Sequence, residues 1–155
     1  MTTPQSTTKP LQTGTPAPKF SLSAFPSGTV SLDQFNGQKN VILAFYPKDD
    51  TPGCTKEMCA FSTDLSKFED KNTVVLGIST DDVDSHSKFA GKYELKQTLL
   101  ADHNHDVAKA YGVLGEGKST ASRMLFIIDK HGVIQHIHEG MPDNNTLLEL
   151  VSKLK

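Results

Sequence analysis

The 155-residue chain has little cysteine, no tryptophan and no excess of either charge. Its 16 basic and 18 acidic side chains give a formal net charge of -2, so a large basic surface for nucleic acid or an anionic membrane is not expected. With only two cysteines, the chain cannot be a small secreted scaffold held by several disulfides. Its length allows one domain with a substantial hydrophobic core, without disulfides or a structural metal.

Long hydrophobic runs are also missing. No apolar stretch approaches the roughly 20 residues needed to cross a bilayer, and the start of the chain lacks the apolar core of a secretory signal. We therefore expect a cytoplasmic protein with no membrane partner. Residues 1–13, rich in Thr, Ser, Pro and Gln, predict a disordered tail ahead of a single domain over residues 14–155. The alternative, a remnant of an organelle-targeting segment, is less favoured because the tail has no Arg and little amphipathic pattern.

Seven segments have the pattern of β-strands. The continuous apolar runs NVILAFY (40–46) and TVVLGIS (73–79) predict strands in the buried centre of a sheet. The other five are KFSLSAF (19–25), GTVSL (28–32), TLLA (98–101), RMLFIID (123–129) and VIQHIHE (133–139). A Lys-His-Gly turn separates the last two, which predicts an antiparallel hairpin.

Four helices are predicted between and after these strands. Apolar residues at spacings of three and four mark the inner face of the first helix, which begins near Pro52 or Gly53: Met58, Phe61, Leu65 and Phe68. The others cover residues 83–93, 106–111 and 143–155. Parallel crossovers followed by one hairpin indicate an α/β, thioredoxin-like fold, with a central mixed β-sheet flanked by helices in an α/β/α sandwich. The sequence lacks both the glycine fingerprint of dinucleotide-binding folds and a phosphate-binding loop. We therefore expect neither a dinucleotide cofactor nor a nucleotide bound at such a loop.

Both cysteines fall in the stretch FYPKDDTPGCTKEMCAF, residues 45–61. Cys54 follows a central strand and a polar loop, and lies in the first turn of the predicted helix. There the unpaired N–H groups and the positive end of the helix dipole stabilise a thiolate over a thiol. The alternative is a buried cysteine without chemistry, which is common. We favour a reactive cysteine, because α/β sheets place their chemistry beyond the carboxyl ends of the central strands.

Helix geometry separates the two cysteines. Five positions along an α-helix place two Cα atoms about 8 to 9 Å apart and turn the side chains about 140° from one another, whereas a disulfide needs Cα atoms within about 7 Å. Cys54 is predicted on the apolar face with Met58, and Cys59 on a polar face with Ser62. The first turns must therefore unwind before the two sulfurs can bond. This favours a redox cycle in which Cys54 is oxidised first and Cys59 reaches it after local unfolding.

Other polar residues near the cysteines receive simpler interpretations. Lys48, Asp49 and Asp50 are predicted to form a solvent-exposed loop, without an acid/base role for the two carboxyl groups. Glu57 lies in the first turn, where complementing the helix dipole is a sufficient role, and orienting an arginine is the alternative.

A zinc site is less well supported than redox chemistry. A C-x4-C pair needs two more ligands in matching geometry. The candidates are the pairs His103 with His105 and His136 with His138, which we interpret as ordinary loop and strand-face residues. We therefore expect no metal.

The stretch around the cysteines resembles the active site of the peroxiredoxins, specifically the bacterioferritin-comigratory-protein or PrxQ group. That group carries P-x-x-x-T-x-x-C with a resolving cysteine five residues on, which here are Pro47, Thr51, Cys54 and Cys59. The similarity runs from GTPAPKFSL to SRMLFIIDKHGVI and covers nearly all of the chain after the tail. It also implies an active-site arginine at the strand before the hairpin, here Arg123, which would otherwise be interpreted as a surface cation.

The resemblance implies a thioredoxin-dependent peroxidase of the atypical 2-Cys type, acting on hydrogen peroxide and alkyl hydroperoxides. Its Cys54 sulfenic acid would be resolved by Cys59 as an intrachain disulfide, which thioredoxin or a glutaredoxin-like protein then reduces. Relatives in this group are often monomers, and we expect a monomer here. We expect no cofactor. The chain departs from its relatives at Ser62 and Thr63, where they often carry an Arg-Asp pair.

We assign roles to the matched residues as hypotheses. The Cys54 thiolate attacks one peroxide oxygen, while the Thr51 hydroxyl, the N–H groups of the first turn and Arg123 hold both oxygens as charge moves to the leaving one. Pro47 shapes the loop and shields the sulfur from water. Two other functions stay open at this point: a disulfide reductase acting on proteins, and a redox-switched interaction protein whose unwound helix exposes Met58 and Phe61 to a client.

Overall fold

The computed structural model describes residues 11–114 and 117–154. Its strands are β1 (Ser21–Phe25), β2 (Thr29–Ser31), β3 (Asn40–Phe45), β4 (Thr73–Ser79), β5 (Thr98–Ala101), β6 (Met124–Ile128) and β7 (Ile134–Glu139). Its α-helices are α1 (Pro52–Glu69), α2 (Val83–Tyr93), α3 (Asp106–Ala110) and α4 (Asn144–Ser152). A short 3-10 helix at Leu32–Phe35, which no sequence pattern predicts, follows β2.

All seven strands form one mixed sheet in the order β2-β1-β5-β4-β3-β6-β7. Strands β3, β4 and β5 are mutually parallel, and the remaining pairings are antiparallel. Parallel neighbours must be joined by crossovers, which α1 and α2 provide, whereas β6 and β7 need only a tight turn. The predicted thioredoxin-like fold with a mixed sheet is confirmed.

Strand β3 lies at the centre of the sheet, and all six of its residues are buried. Its side chains alternate between two hydrophobic clusters, one on each face of the sheet. Val41, Leu43 and Phe45 belong to a cluster that also contains residues of α3. Ile42 and Ala44 belong to the other, which contains residues of α1, α2 and α4. Helices therefore cover both faces, which explains why β3 is an uninterrupted apolar run.

The register of the sheet brings two distant parts of the chain together. Phe45, the last residue of β3, pairs with Met124, the first residue of β6. Arg123 therefore lies beside the carboxyl end of β3, where the chain turns through residues 46–51 into α1. The sheet topology thus places this arginine next to the helix start that contains Cys54.

Most of the predicted tail lies outside the described residues. Leu11, the first residue that the structure describes, is half-buried and packs against the cluster that includes α3. Over residues 11–114 and 117–154, no helix is long and apolar enough to cross a membrane. The domain boundary at residue 14 stays a prediction.

Candidate active site

Cys54 occupies the third position of α1. Thr51 is the N-cap in extended conformation, with φ -99° and ψ 155°, and Pro52 opens the helix. Proline suits that position because its missing N–H would have no helical acceptor. The first helical bond runs from the Thr55 amide to the Thr51 carbonyl, at 2.8 Å. Cys54 therefore lies among the first-turn amides, as the sequence predicted, and its side chain is 0% exposed.

The guanidinium of Arg123 bridges Cys54 and Glu57. Nη2 donates to the Cys54 Sγ at 3.4 Å, and Nη1 donates to the Glu57 Oε1 at 2.6 Å. This close approach depends on Gly53, since a Cβ there would lie 2.9 Å from Nη2. The sulfur is thus buried from solvent and in hydrogen-bonding contact with a positively charged group.

Glu57 is buried and bonded to Arg123. Orienting this arginine, the alternative role given for Glu57, therefore fits its position better than complementing the helix dipole. Loss of hydration raises the pKa of Glu57 to about 7, and this outweighs the hydrogen bond and the charge of Arg123, which lower it. Partial burial disfavours the charge of Arg123, but its hydrogen bonds to Cys54 and Glu57 outweigh that and raise the pKa of the guanidinium. Arg123 therefore stays charged across the working pH range.

Glu57 should make the stability of the protein fall as pH rises. Its pKa lies near 4.5 in the unfolded chain and about 7 in the folded one, so its contribution is fully present below the lower value and lost as pH rises through the upper one. The shift corresponds to about 3 kcal/mol. Urea unfolding at pH 5 and pH 8 should show this loss in the wild type and not in Glu57→Gln.

The matched control for that prediction is Glu69→Gln, at the exposed end of the same helix. It should keep the pH dependence of the wild type. Equal losses of stability in the wild type and in Glu57→Gln would show that the buried carboxyl group does not titrate in this range.

Thr51 and Pro47 flank the loop between β3 and α1. The Thr51 hydroxyl donates to the Lys48 carbonyl at 3.1 Å, so in this structure it closes the loop. Both residues are half-buried. The structure brings Thr51, Cys54 and Arg123 to the same end of the sheet, while the roles assigned to Thr51 and Pro47 stay predictions.

Cys59 lies on a different side of α1 from Cys54. Both cysteines are free, and Cys59 is half-exposed where Cys54 is buried. Cys59 borders a groove of about 330 Å³, which is also lined by Ser62, Thr63, Tyr93, Glu94 and Lys96. Helix α1 is continuous from Pro52 to Glu69. The two cysteines therefore lie five positions apart in an intact helix, the spacing that was expected to keep their sulfurs apart.

Ser62 was predicted to lie with Cys59 on a polar face of α1, and this prediction needs correction. The residue is buried rather than solvent-exposed, because the segment between α2 and β5 covers it. Its Oγ accepts a hydrogen bond from the Lys96 amide at 2.9 Å and lies 3.5 Å from the Glu94 carbonyl. Ser62 therefore ties the middle of α1 to that segment.

The prediction that Asp49 belongs to a solvent-exposed loop is wrong. Its buried carboxylate accepts hydrogen bonds from the Tyr46 hydroxyl at 2.6 Å and the Ser85 hydroxyl at 2.8 Å, and pairs with the His86 Nδ1 at 2.8 Å. The His86 Nε2 lies 2.7 Å from the Leu100 carbonyl of β5. This network anchors the loop before Cys54 to α2 and to the sheet. Burial, and then the charge of Asp49, raise the pKa of Tyr46, so its hydroxyl remains a donor.

Asp50 is exposed, as predicted, but its carboxylate is bonded to residues of α2. It accepts hydrogen bonds from the Tyr93 hydroxyl at 2.7 Å and from the Lys92 Nζ at 3.0 Å. These contacts give the loop a second attachment to α2. No local sequence pattern indicates either attachment, since the partners lie more than thirty residues away.

The histidine pairs considered as metal ligands do not form part of a cluster. In the part of the chain that the structure describes, no group of three or more His, Cys, Asp or Glu side chains is placed to hold a metal ion. His136 and His138 stack with their ring centroids 6.4 Å apart on β7, and the His138 Nε2 lies 3.0 Å from the Met141 carbonyl. They act as strand-face residues here.

Comparison with protein families gives a match to the AhpC/TSA family over residues 13–137. A Coxiella burnetii relative named as a peroxiredoxin bcp is 41% identical over 150 residues, which covers 93% of this chain and 99% of that protein. The chloroplastic peroxiredoxin Q of Triticum aestivum is 44% identical over 128 residues. That match covers 82% of this chain, and spans only 58% of the longer plant protein.

Solved structures give the same picture. Peroxidoxin BcpB from Mycobacterium tuberculosis superposes with a TM-score of 0.86 at 28% identity, covering 94% of this chain and 99% of that one. The reduced 2-Cys peroxiredoxin of Plasmodium vivax superposes with a TM-score of 0.84 at 30% identity, covering 92% and 81%.

Proposed function

Because this chain belongs to the AhpC/TSA family of peroxiredoxins, we propose that it reduces hydrogen peroxide and organic hydroperoxides through Cys54, with Cys59 resolving the oxidised sulfur. Family membership itself supports a thiol peroxidase. The finer assignments, which are the intrachain disulfide, the reductant and the residue roles, are our proposal.

The observation that carries the proposal is the contact between the Arg123 guanidinium and the Cys54 sulfur, at 3.4 Å in the first turn of α1. A thiolate attacking a peroxide forms an S–O bond and breaks the O–O bond, and the electron pair of that bond goes to the leaving oxygen. The leaving oxygen takes up a proton and departs as water or an alcohol, and the sulfur becomes a sulfenic acid. Donors fixed beside the sulfur stabilise the charge as it moves to the leaving oxygen.

The second step is the condensation of that sulfenic acid with Cys59. The S–S bond forms as the S–O bond breaks, and the hydroxide leaves as water with the proton of the Cys59 thiol. Because Cys54 is buried and Cys59 borders an open groove, the start of α1 must unwind for the two to meet. Unwinding would also expose the disulfide to a dithiol reductant, for which we propose thioredoxin or a glutaredoxin-like protein. We further propose a cytoplasmic monomer.

Cys59→Ser tests this mechanism. With one equivalent of peroxide, the wild type should become two hydrogen atoms lighter, with the loss mapping to a Cys54–Cys59 bond by peptide mass spectrometry. The variant should oxidise at Cys54 at the same rate, because its first turn is unchanged, and stop at the sulfenic acid. Turnover driven by thioredoxin should then fall to roughly a hundredth or less of the wild-type rate.

The control for this experiment is the thioredoxin-free reaction, in which both proteins should consume one peroxide per chain. Thioredoxin-driven turnover by Cys59→Ser at the wild-type rate would contradict the intrachain mechanism. A wild-type chain that reacts readily with protein disulfides and slowly with peroxide would favour the disulfide reductase considered above.

A further inference from the structure

Gln97 is a buried amide with only half of its hydrogen-bonding capacity used. It lies between α2 and β5 and is 3% exposed. Its Nε2 donates to the Met58 carbonyl at 3.0 Å and lies 3.6 Å from the Met58 Sδ. Its Oε1 has no hydrogen-bond partner among the described residues. Such an unpaired atom in a protein core calls for an explanation.

The location of Gln97 connects it to the resolving step. Met58 directly precedes Cys59, so its carbonyl belongs to the stretch of α1 that must rearrange before Cys59 can reach Cys54. Beyond that stretch, Phe61 is fully buried, and Ser62 is held by the Lys96 amide at 2.9 Å. Gln97 therefore contacts Met58, at the end of the stretch of α1 that has to unwind. Its neighbour Lys96 holds Ser62, in the part of α1 that can stay helical.

The energetic balance at Gln97 favours unwinding. Inside α1 the Met58 carbonyl already has the Ser62 amide as its helical partner, so the bond from Gln97 is an additional one. The cost of burying an unpaired acceptor is roughly twice the net gain from one neutral hydrogen bond. When Met58 moves away, water and the freed amides of α1 can reach the Gln97 Oε1, and that cost disappears.

We infer that Gln97 is a positioning residue for disulfide formation, acting through Met58. Its buried amide keeps the first half of α1 only marginally stable, and this speeds the approach of Cys59 to the oxidised Cys54. The inference rests on the proposed function, because it concerns the step that forms the intrachain disulfide. It does not concern the attack of Cys54 on peroxide.

Gln97→Met is the primary test, because methionine has a similar volume and carries neither the donor nor the unpaired oxygen. In stopped-flow experiments with hydrogen peroxide, the first phase, oxidation of Cys54, should be unchanged. The second phase, disulfide formation, should be about fivefold slower. Mass spectrometry should show Cys54 sulfinic acid at lower peroxide concentrations than in the wild type, and the urea midpoint should be equal or higher.

Two further variants sharpen the test. Gln97→Glu retains a buried acceptor oxygen whether or not its carboxyl group is protonated, so its second phase should be at least as fast as in the wild type. Gln135→Met makes the primary substitution at an exposed position of β7, and it should change neither phase.

Each outcome decides the question. Disulfide formation in Gln97→Met that is as fast as in the wild type, or faster, overturns the inference, as does a slower second phase in Gln97→Glu. A Gln97→Met chain that does not fold also overturns it, because the amide would then stabilise the intact helix. If the wild type forms no Cys54–Cys59 disulfide, the proposed function fails instead, and the mass-spectrometric assignment separates the two cases.

Discussion

Replacing Cys54 with serine is expected to abolish peroxide turnover, with a fall of at least about a thousandfold. A serine hydroxyl is a weak nucleophile unless a neighbouring base takes its proton, and the group in contact with this position is the Arg123 guanidinium, which accepts no proton. The measurement is stopped-flow consumption of hydrogen peroxide by the reduced protein, together with trapping of sulfenic acid by dimedone.

The paired control is Cys59→Ser, which should keep rapid formation of a trapped sulfenic acid. Serine is close in size to cysteine, so both variants should retain the circular dichroism of the wild type. Rapid oxidation of Cys59 in Cys54→Ser would reverse the assigned order of the two sulfurs, and the buried thiol would then be structural.

Arg123→Met should slow the oxidation of Cys54 by about a hundredfold to a thousandfold, the usual effect of removing one donor that faces developing charge. The guanidinium lies 3.4 Å from the sulfur, and in the proposed mechanism it stabilises the thiolate before attack and the moving charge during it. Methionine keeps most of the side-chain volume without the charge. The second-order rate constant for peroxide, measured by stopped flow as a function of pH, checks this.

The same substitution leaves Glu57 buried without its partner. A matched double variant, Arg123→Met with Glu57→Gln, removes that carboxyl group, and it should show the same slow oxidation with a stability nearer to that of the wild type. Gly53→Ala is a milder test, because the new Cβ would lie 2.9 Å from Nη2 and displace the flexible end of Arg123 without removing its charge. It should slow the oxidation of Cys54 less than Arg123→Met does. Wild-type kinetics in the double variant would remove Arg123 from the chemistry.

The fold was accessible from the sequence because its signals are local. The run from Asn40 to Tyr46 is apolar throughout, since β3 is covered on both faces. The turn at residues 130–132 identified the antiparallel hairpin, and Pro52 marked the start of α1. The 3-10 helix after β2 was missed because a single short turn leaves no periodic pattern.

The candidate site was only partly accessible, because its contacts join distant parts of the chain. The position of Cys54 in a first helical turn followed from local patterns, but Arg123 was identified only through the family resemblance, and it lies 69 positions away. Asp49 was assigned to solvent because two of its side-chain partners, Ser85 and His86, belong to the distant α2. Glu57 follows Cys54 by one helical turn, a spacing that places the two side chains near each other. The sequence nevertheless offered the orientation of an arginine only as its alternative role.

Side-chain contacts hold the chain on both sides of the start of α1, and they limit how far this segment can unwind. Asp49 and Asp50 bind α2 on one side, and Ser62 binds the segment that follows α2 on the other. If residues 51–61 unwind as the proposed mechanism requires, they form a tethered loop, and a tethered loop gains less conformational entropy than a free end. Loops of this size close, and helices of this size re-form, within about a microsecond. After each reduction the site should reassemble long before the next peroxide arrives.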